Sequence, residues 1–256
     1  MPQQSRRGSH AESLAQQRPI AVVTGASSGI GAAIAQRLAS DGYDVLIQFS
    51  GNASGAAQSA QDVVDIGGRA ITCQLNFERV MSAQDFWGPL SAALKDAGWQ
   101  GPVRALVLNA GVDLRQDFEQ YSHAQIQRIF QVNTFVPMLA LQGARTGMTS
   151  GGAIVVTSST GARSPIATSV PYSMSKAAVN MLVAAGAGQL LDAGIRVNAV
   201  APGIVDTPLQ TRERIAAMSE QGAVGSPQDI ARVASFLASD DSGWVNGQVL
   251  EASGGY

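Results

Sequence analysis

Tyr172 and Lys176 stand four residues apart in a segment with helical apolar spacing, so both side chains share one face. A phenol of pKa about 10 is a weak acid–base group at neutral pH. An ammonium beside it favours phenolate and lowers that value, which makes the pair a coherent device for moving a proton. Ser159 lies thirteen residues before Tyr172, just after an apolar run, and offers a hydroxyl to a substrate oxygen. Asn133 falls in Phe130-Gln131-Val132-Asn133-Thr134, a helical stretch where Asn has poor propensity and so calls for a reason. Where a reaction builds negative charge on a substrate oxygen, Ser159 and Tyr172 are donors suited to meet it.

A second group of residues suits phosphate. Thr24-Gly25-Ala26-Ser27-Ser28-Gly29-Ile30-Gly31 joins an apolar run to a helical pattern. Gly25 permits a sharp turn, Gly29 lets backbone N–H groups approach a pyrophosphate, and Gly31 lets the helix pack closely. Backbone from Ser27, Ser28 and Ile30 belongs to the same cradle. The same stretch matches G-x-S-x-G, which would make Ser27 a hydrolase nucleophile. That chemistry needs a histidine partner, and the only downstream one, His123, sits at a polar helix start. Ser173-Met174-Ser175-Lys176 matches S-x-x-K, but its companion motifs are absent.

These groups need a scaffold. Apolar runs at Ile20–Thr24, Val45–Phe49, Ala70–Gln74, Val103–Leu108, Ala153–Thr157, Ile195–Val200 and Gln248–Glu251 read as strands. Helical patterns fall at Ile30–Ser40, Ser54–Gly67, Ser82–Ala97, Gln125–Met148, Tyr172–Ala193 and Pro227–Ser239. Gly42, Gly67, Gly98, Gly147 and Gly194 follow or end helices, where a left-handed cap prefers Gly. This alternation predicts an α/β fold: a single doubly wound Rossmann-type domain over residues 19–256, with a seven-stranded, mostly parallel sheet flanked by helices on both faces. Residues 1–18 are polar without apolar periodicity and read as a disordered N-terminal extension. Asn109-Ala110-Gly111 ends the fourth strand, at the carboxyl edge where ligands of such folds bind.

Composition narrows the chemistry. With 17 Lys+Arg against 19 Asp+Glu, the chain has no basic excess for nucleic acid or an anionic membrane. One cysteine, Cys73, excludes an internal disulfide framework and reads as a buried small hydrophobe. Two histidines with that single Cys argue against a zinc site, so no metal is expected. No apolar run reaches the length of a membrane span. After the second strand, Phe49 and Ser50 occupy the place where an NAD-selecting fold carries an acidic residue. Ser50 or Asn52 could donate to a 2′-phosphate, though no Arg or Lys stands there; NADP(H) is favoured and NAD(H) stays open.

Taken in order, Thr24-Gly25-x-x-x-Gly29-x-Gly31, Asn109-Ala110-Gly111, Asn133, Ser159, Tyr172-x-x-x-Lys176, Pro202-Gly203 and Gly254-Gly255 resemble the short-chain dehydrogenase/reductase family over residues 19–256. The resemblance implies that Tyr172 is the general acid–base and that Lys176 lowers its pKa and binds the nicotinamide ribose. It implies that Ser159 positions the carbonyl and that Asn133 holds, through its backbone, a water linking Lys176 to solvent. Asn109 would line the cofactor channel, and Pro202, Gly203, Ile204 and Thr207 would flank the nicotinamide. Two positions depart from the family pattern: Leu108 replaces an Asn, and Asn76 replaces the Asp that binds adenine, though its amide oxygen can still accept. Ser158 rivals Ser159 for the hydroxyl role.

The motifs are similar to those of 3-oxoacyl-[acyl-carrier-protein] reductases, so the expected substrate is a small-molecule ketone or an acyl-thioester carbonyl. The basic residues expected against an acidic carrier protein are poorly matched: Arg145 and Arg196 lie near the relevant segments. The substrate loop is placed at Ile204–Ser226, with Leu209 and Met218 as apolar candidates and Arg212, Glu213 and Arg214 as a charged patch. An NAD-dependent secondary-alcohol dehydrogenase and a non-catalytic NAD(P)-binding regulator are the alternative readings. The resemblance also implies a cytoplasmic homotetramer or homodimer.

Overall fold

The computed structural model describes residues 18–220 and 224–255, apart from the side chain of Arg214. Most of the expected N-terminal extension, and residues 221–223 of the expected substrate loop, lie outside the described residues. Arg18 belongs with the folded chain rather than with an extension. Its guanidinium donates to the Gly42 and Ala39 carbonyls at 2.9 and 3.3 Å, tying it to the end of the first helix.

The strands are β1 (Ile20–Val23), β2 (Asp44–Phe49), β3 (Arg69–Gln74), β4 (Val103–Leu108), β5 (Ala153–Thr157), β6 (Arg196–Pro202), β7 (Ile204–Val205), β8 (Val224–Gly225) and β9 (Val249–Ala252). The helices are α1 (Gly29–Ser40), α2 (Ala53–Asp65), α3 (Ala83–Asp96), α4 (His123–Phe130), α5 (Val136–Gly147), α6 (Val170–Gln189), α7 (Arg212–Ser219) and α8 (Pro227–Ala238). Seven strands form one sheet in the order β3-β2-β1-β4-β5-β6-β9, and every pairing is parallel. The order reverses direction between β1 and β4, which opens a crevice at the carboxyl edge.

The strand pleat divides the core. Ile20 and Val22 of β1 join Leu106, Ile154, Phe86 and Val179 on one face. Ala21 and Val23 join Ile47, Ile34, Val63 and Leu237 on the other. Both faces are therefore apolar, and helices cover both.

Three local features differ from the sequence expectation. The long helical pattern at Gln125–Met148 is interrupted by a π-helical turn, Gln131–Phe135, between α4 and α5. Gly42, Gly67, Gly98 and Gly194 take positive φ as expected of helix stops, but Gly147 does not. A Cβ on Gly147 would lie 2.5 Å from the buried Trp87 ring, so this glycine is a seat for the indole. The segment Ile204–Ser226 is not a simple loop: β7 and β8 pair in parallel around α7.

Candidate active site

A cleft of about 660 Å³ runs along the carboxyl edge from the turn after β1 to the start of α6. At one end stands the glycine turn. Gly25 and Gly29 have φ of 62° and 56°, a region that strains other L residues. A Cβ on Gly25 would approach Ala110 Cα to 2.7 Å, and one on Gly31 would reach the Gly25 carbonyl at 2.4 Å. Gly31 thus packs against the turn itself and the Asn109 amide, in addition to starting the helix. Ser28 caps α1 in extended backbone without spending its hydroxyl on the cap. The first-turn N–H groups of α1 have no intrahelical acceptors, so the turn offers donors and a positive helix end to a pyrophosphate. Thr207 lies over this turn, since a Cβ on Gly29 would sit 3.3 Å from it.

The sequence reading missed Gln48. Its Oε1 accepts from the Gly25 N–H at 3.0 Å and its Nε2 donates to the Leu75 carbonyl at 2.7 Å. It holds the turn against β2 and β3. Its signal was a lone amide in the otherwise apolar run Val45–Phe49.

Ser50, Gly51 and Asn52, which line this rim of the cleft, are uncharged. Asn52 accepts from the Gly55 N–H at 3.0 Å as the cap of α2, so its oxygen is engaged, while Ser50 is exposed. Asn76 lines the cleft, but its oxygen accepts from the Glu78 N–H at 3.0 Å, so a local cap shares the acceptor expected to meet adenine.

Asn109 is more tied down than a channel wall requires. Its backbone N–H donates to Thr24 Oγ1 at 2.9 Å, its Nδ2 to the Thr24 carbonyl at 3.1 Å, and its Oδ1 accepts from Thr157 Oγ1 at 3.2 Å. It therefore stitches the ends of β1, β4 and β5. The Leu108 position beside it is buried in the core, where an apolar residue packs without unsatisfied groups.

At the other end of the cleft, Ser159, Tyr172 and Lys176 come together. Ser158 is buried and its hydroxyl donates to Asn180, which turns it out of the contest. Ser159 lines the cleft, with its Oγ accepting from the Gly161 N–H at 3.0 Å and its proton left to donate. Lys176 Nζ donates to the Thr157 carbonyl at 2.7 Å and lies 5.6 Å from the centre of the Tyr172 ring. Asn133, buried in the π-turn, spends its amide on the loop after β4. Nδ2 donates to the Val112 carbonyl at 2.9 Å and to Ser175 Oγ at 3.0 Å, and Oδ1 accepts from the Val112 N–H at 2.8 Å. That is the reason for an Asn in this helix. The side chain locks the loop to α6, and the i+5 turn that carries it is a feature common at functional sites.

The Tyr172 pKa is raised rather than lowered as the neighbouring ammonium led one to expect. Burial pushes the Tyr172 phenol up to about 12, with a hydrogen bond from Ser159 pulling the other way and Asp113 adding to the rise. Lys176 is held down at about 8 by burial, opposed by Asp113. The ammonium faces a carbonyl and the ring, so it does not offset the desolvation of the phenol oxygen.

Pro202, Gly203 and Ile204 line the same end. Gly203 is small because of the chain beside it: a Cβ there would meet Ser253 Cβ at 2.8 Å. No histidine is among the residues lining the cleft, which leaves the Ser27 hydrolase arrangement without a base. Among the described residues no group of three or more His, Cys, Asp or Glu could hold a metal ion, and no helix is long and apolar enough to cross a membrane.

The arrangement joins a phosphate cradle to a hydroxyl, a phenol and an ammonium. A nicotinamide dinucleotide fits it: the glycine turn has room where any Cβ would intrude, and proton donors stand at the far end. Comparison with known proteins agrees. Residues 19–217 match the short chain dehydrogenase family. An uncharacterised oxidoreductase of Methylorubrum extorquens is 37% identical over 92% of this chain and 96% of its own length. An NADPH-dependent aldehyde reductase-like protein, chloroplastic, of Arabidopsis thaliana is 33% identical over 93% of each. The crystal structure of the angucycline C-6 ketoreductase LanV with bound NADP superposes with a TM-score of 0.86 at 33% identity, covering 92% of this chain and 94% of that one. With the glycine turn, the Ser-Tyr-Lys cluster and these relatives in agreement, the chain belongs to the short chain dehydrogenase family and is an NAD(P)-dependent oxidoreductase.

Proposed function

We propose that the protein is an NADPH-dependent carbonyl reductase acting on a small-molecule ketone. The observation that carries this reading is the meeting of Ser159, Tyr172 and Lys176 at one end of the cleft whose other end is the glycine cradle. The reductases among its relatives, one named as NADPH-dependent and one crystallised with NADP, support the cofactor choice. So does a Ser50 rim that has no carboxylate to repel a 2′-phosphate.

A nicotinamide dinucleotide held in this cleft would supply the hydride. Gly25, Ser27, Ser28, Gly29 and Ile30, with Gly31 behind them, would hold its pyrophosphate end, Ser50 and Asn76 would lie towards the adenosine, Ala110, Gly111, Pro202, Gly203 and Ile204 would line the nicotinamide channel, and Thr207 would stand between that channel and the glycine turn. Ser159 donates to the substrate carbonyl oxygen. Tyr172 Oη gives its proton to that oxygen as charge develops there, and a neutral phenol is the form required. Lys176 contributes positive charge beneath the tyrosine ring and hydroxyl-binding capacity towards the ribose. Asn133 keeps the loop carrying Gly111 against α6.

A carrier-free ketone suits the surface better than a carrier-bound 3-oxoacyl thioester. Arg145 is paired with Asp192 at 2.7 Å, and Arg196 donates to the Leu237 and Ser239 carbonyls and to Ser242, so both are spent inside the chain. The same reading includes a cytoplasmic homodimer or homotetramer, which sedimentation checks.

The test is a titration of NADPH against NADH, followed by NADPH oxidation with aromatic and aliphatic ketones, quinones and 3-oxoacyl thioesters. Tighter NADPH binding and turnover of a carrier-free ketone are expected. Preference for NADH with oxidation of secondary alcohols would replace this reading with the NAD-dependent dehydrogenase.

A further inference from the structure

Two carboxylates line the cleft. Glu78 lies near Asn76, half exposed, and is tied to Arg128 at 2.7 Å. Asp113 is different. It follows the loop that Asn133 fixes at Val112, and its side chain is 3% exposed. Its Oδ2 accepts from Arg115 Nε at 3.0 Å and from Ser169 Oγ at 3.2 Å. Its Oδ1 is, among the described residues, the one buried side-chain oxygen or nitrogen without a hydrogen-bond partner.

A buried carboxylate with one unsatisfied oxygen is costly unless a nearby positive charge compensates it. Arg115 compensates only in part, since its other end reaches across to Gln210 at 2.8 Å, on the segment leading to α7. The other buried charge in the cleft is Lys176, whose ammonium has a carbonyl but no carboxylate in hydrogen-bond contact. A Cβ on Gly111, two residues before Asp113, would lie 3.6 Å from Lys176 Nζ, so the Asp113 loop passes close to the ammonium.

We propose that Asp113 is the buried counter-charge of the Tyr172–Lys176 pair, a positioning residue of the proton-transfer site that Arg115 partly neutralises. From the loop after β4 the Asp113 charge acts on both Tyr172 and Lys176 and the Arg115 charge on Tyr172, and from the loop after β5 Ser159 hydrogen-bonds Tyr172. Tyr121, which donates to the Leu114 and Thr168 carbonyls, is a further titratable group that feels the Asp113 charge. By charge alone, Asp113 supports the ammonium on Lys176 and the neutral phenol on Tyr172. Those are the two forms that reduction of a carbonyl uses, and in this the inference rests on the reductase reading.

The chain has two lysines, and Lys95 is exposed, so carbon-13 labelling at lysine Cε gives one internal reference and one signal for Lys176. Titrated by NMR, wild-type Lys176 is expected to deprotonate with a midpoint near 8. Asp113→Asn is expected to move that midpoint to lower pH, and Asp113→Glu to restore it. The alkaline limb of kcat/KM for ketone reduction should move to lower pH in Asp113→Asn as well, because both partners lose the same support. A Lys176 midpoint unchanged in a folded Asp113→Asn protein overturns the proposal. Should Asp113→Asn fail to fold, Arg115→Gln keeps the carboxylate and removes its neutralising partner. The Lys176 midpoint then rises, and a midpoint that stays or falls overturns the proposal. The lysine titration needs no turnover, so it stands apart from any failure of the reductase reading.

Discussion

Two buried carboxylates sit at opposite ends of the same parallel sheet, and they are treated differently. Asp44, at the amino end of β2, is 1% exposed and has both oxygens met by the Arg69 guanidinium, with Arg18 at 3.7 Å. Asp113, beyond the carboxyl end of β4, is 3% exposed and has one oxygen met and one not. The neighbourhood repeats the contrast. At the amino end, Arg196 donates to the Leu237 and Ser239 carbonyls and to Ser242, and Arg104 Nη2 donates to the Gly151 carbonyl and to Asp240. At the carboxyl end, Lys176 is bonded to a single carbonyl and Tyr172 is half-buried at the cleft. Satisfied groups hold the sheet together, whereas incompletely satisfied ones keep interaction energy available for a ligand and for a proton in transit. Parallel strands make the division, because every chain reversal that opens the crevice lies on the carboxyl side.

Breaking the carboxyl end should cost activity and not stability. Tyr172→Phe is expected to lose about 10²–10⁴-fold in kcat while binding NADPH normally. Retained turnover would remove Tyr172 from the chemistry. Ser159→Ala should lose about 10²–10³-fold in kcat, the effect of removing one donor from a developing oxyanion. Breaking the amino end should do the reverse. Arg69→Met leaves Asp44 buried beside Arg18 alone and should lower unfolding stability by about 3 kcal/mol with kcat unchanged per folded molecule. Urea titration with an activity assay reads both, and a matching drop in kcat would erase the contrast between the two ends.

Lys176 tests the boundary, since it is a charge buried where the sheet could have used an apolar residue. Its folded-state pKa of about 8 lies below the ordinary 10.5. The unfolded chain therefore binds more protons between those values, and folding stability gains as pH rises through that window. Relative to Lys176→Met, the wild type should gain about 2 kcal/mol of stability between pH 7 and 9.5. A pH-independent difference would mean that the ammonium is not buried in solution. Ser158→Ala marks the small end: about 1 kcal/mol of stability for its bond to Asn180, and turnover within twofold of wild type. A large loss of kcat there would reverse the assignment of the two serines.

Much of this was legible in order. The apolar runs and glycine stops placed the seven sheet strands; the inner ones, such as β1, β2, β4 and β5, are buried on both faces and have little freedom in composition. Gly25 and Gly31 were legible because Cβ atoms have no room there, and Gly29 because its φ of 56° strains other L residues. Gly147 was misread for the same reason in reverse, since a glycine after a helical pattern does not announce that an indole lies against it. The π-turn at Gln131–Phe135 left only the trace of an Asn in a helix. Gln48 and Asp113 were passed over because their roles are set by chain segments far from them in sequence or by the depth of burial.

Residue type and spacing alone determined the alternation of strands and helices, the turn that must be glycine, and a Tyr and a Lys on one helical face. These are local consequences of backbone sterics and periodicity. Only the tertiary structure decided that the Ser158 hydroxyl is spent on Asn180 while that of Ser159 keeps its proton for the cleft, that Lys176 bonds Thr157, and that burial drives the phenol up. It alone left Asp113 half-satisfied beside them. Those outcomes depend on which groups lose water and which partners arrive from distant strands, and desolvation is a property of the assembled fold.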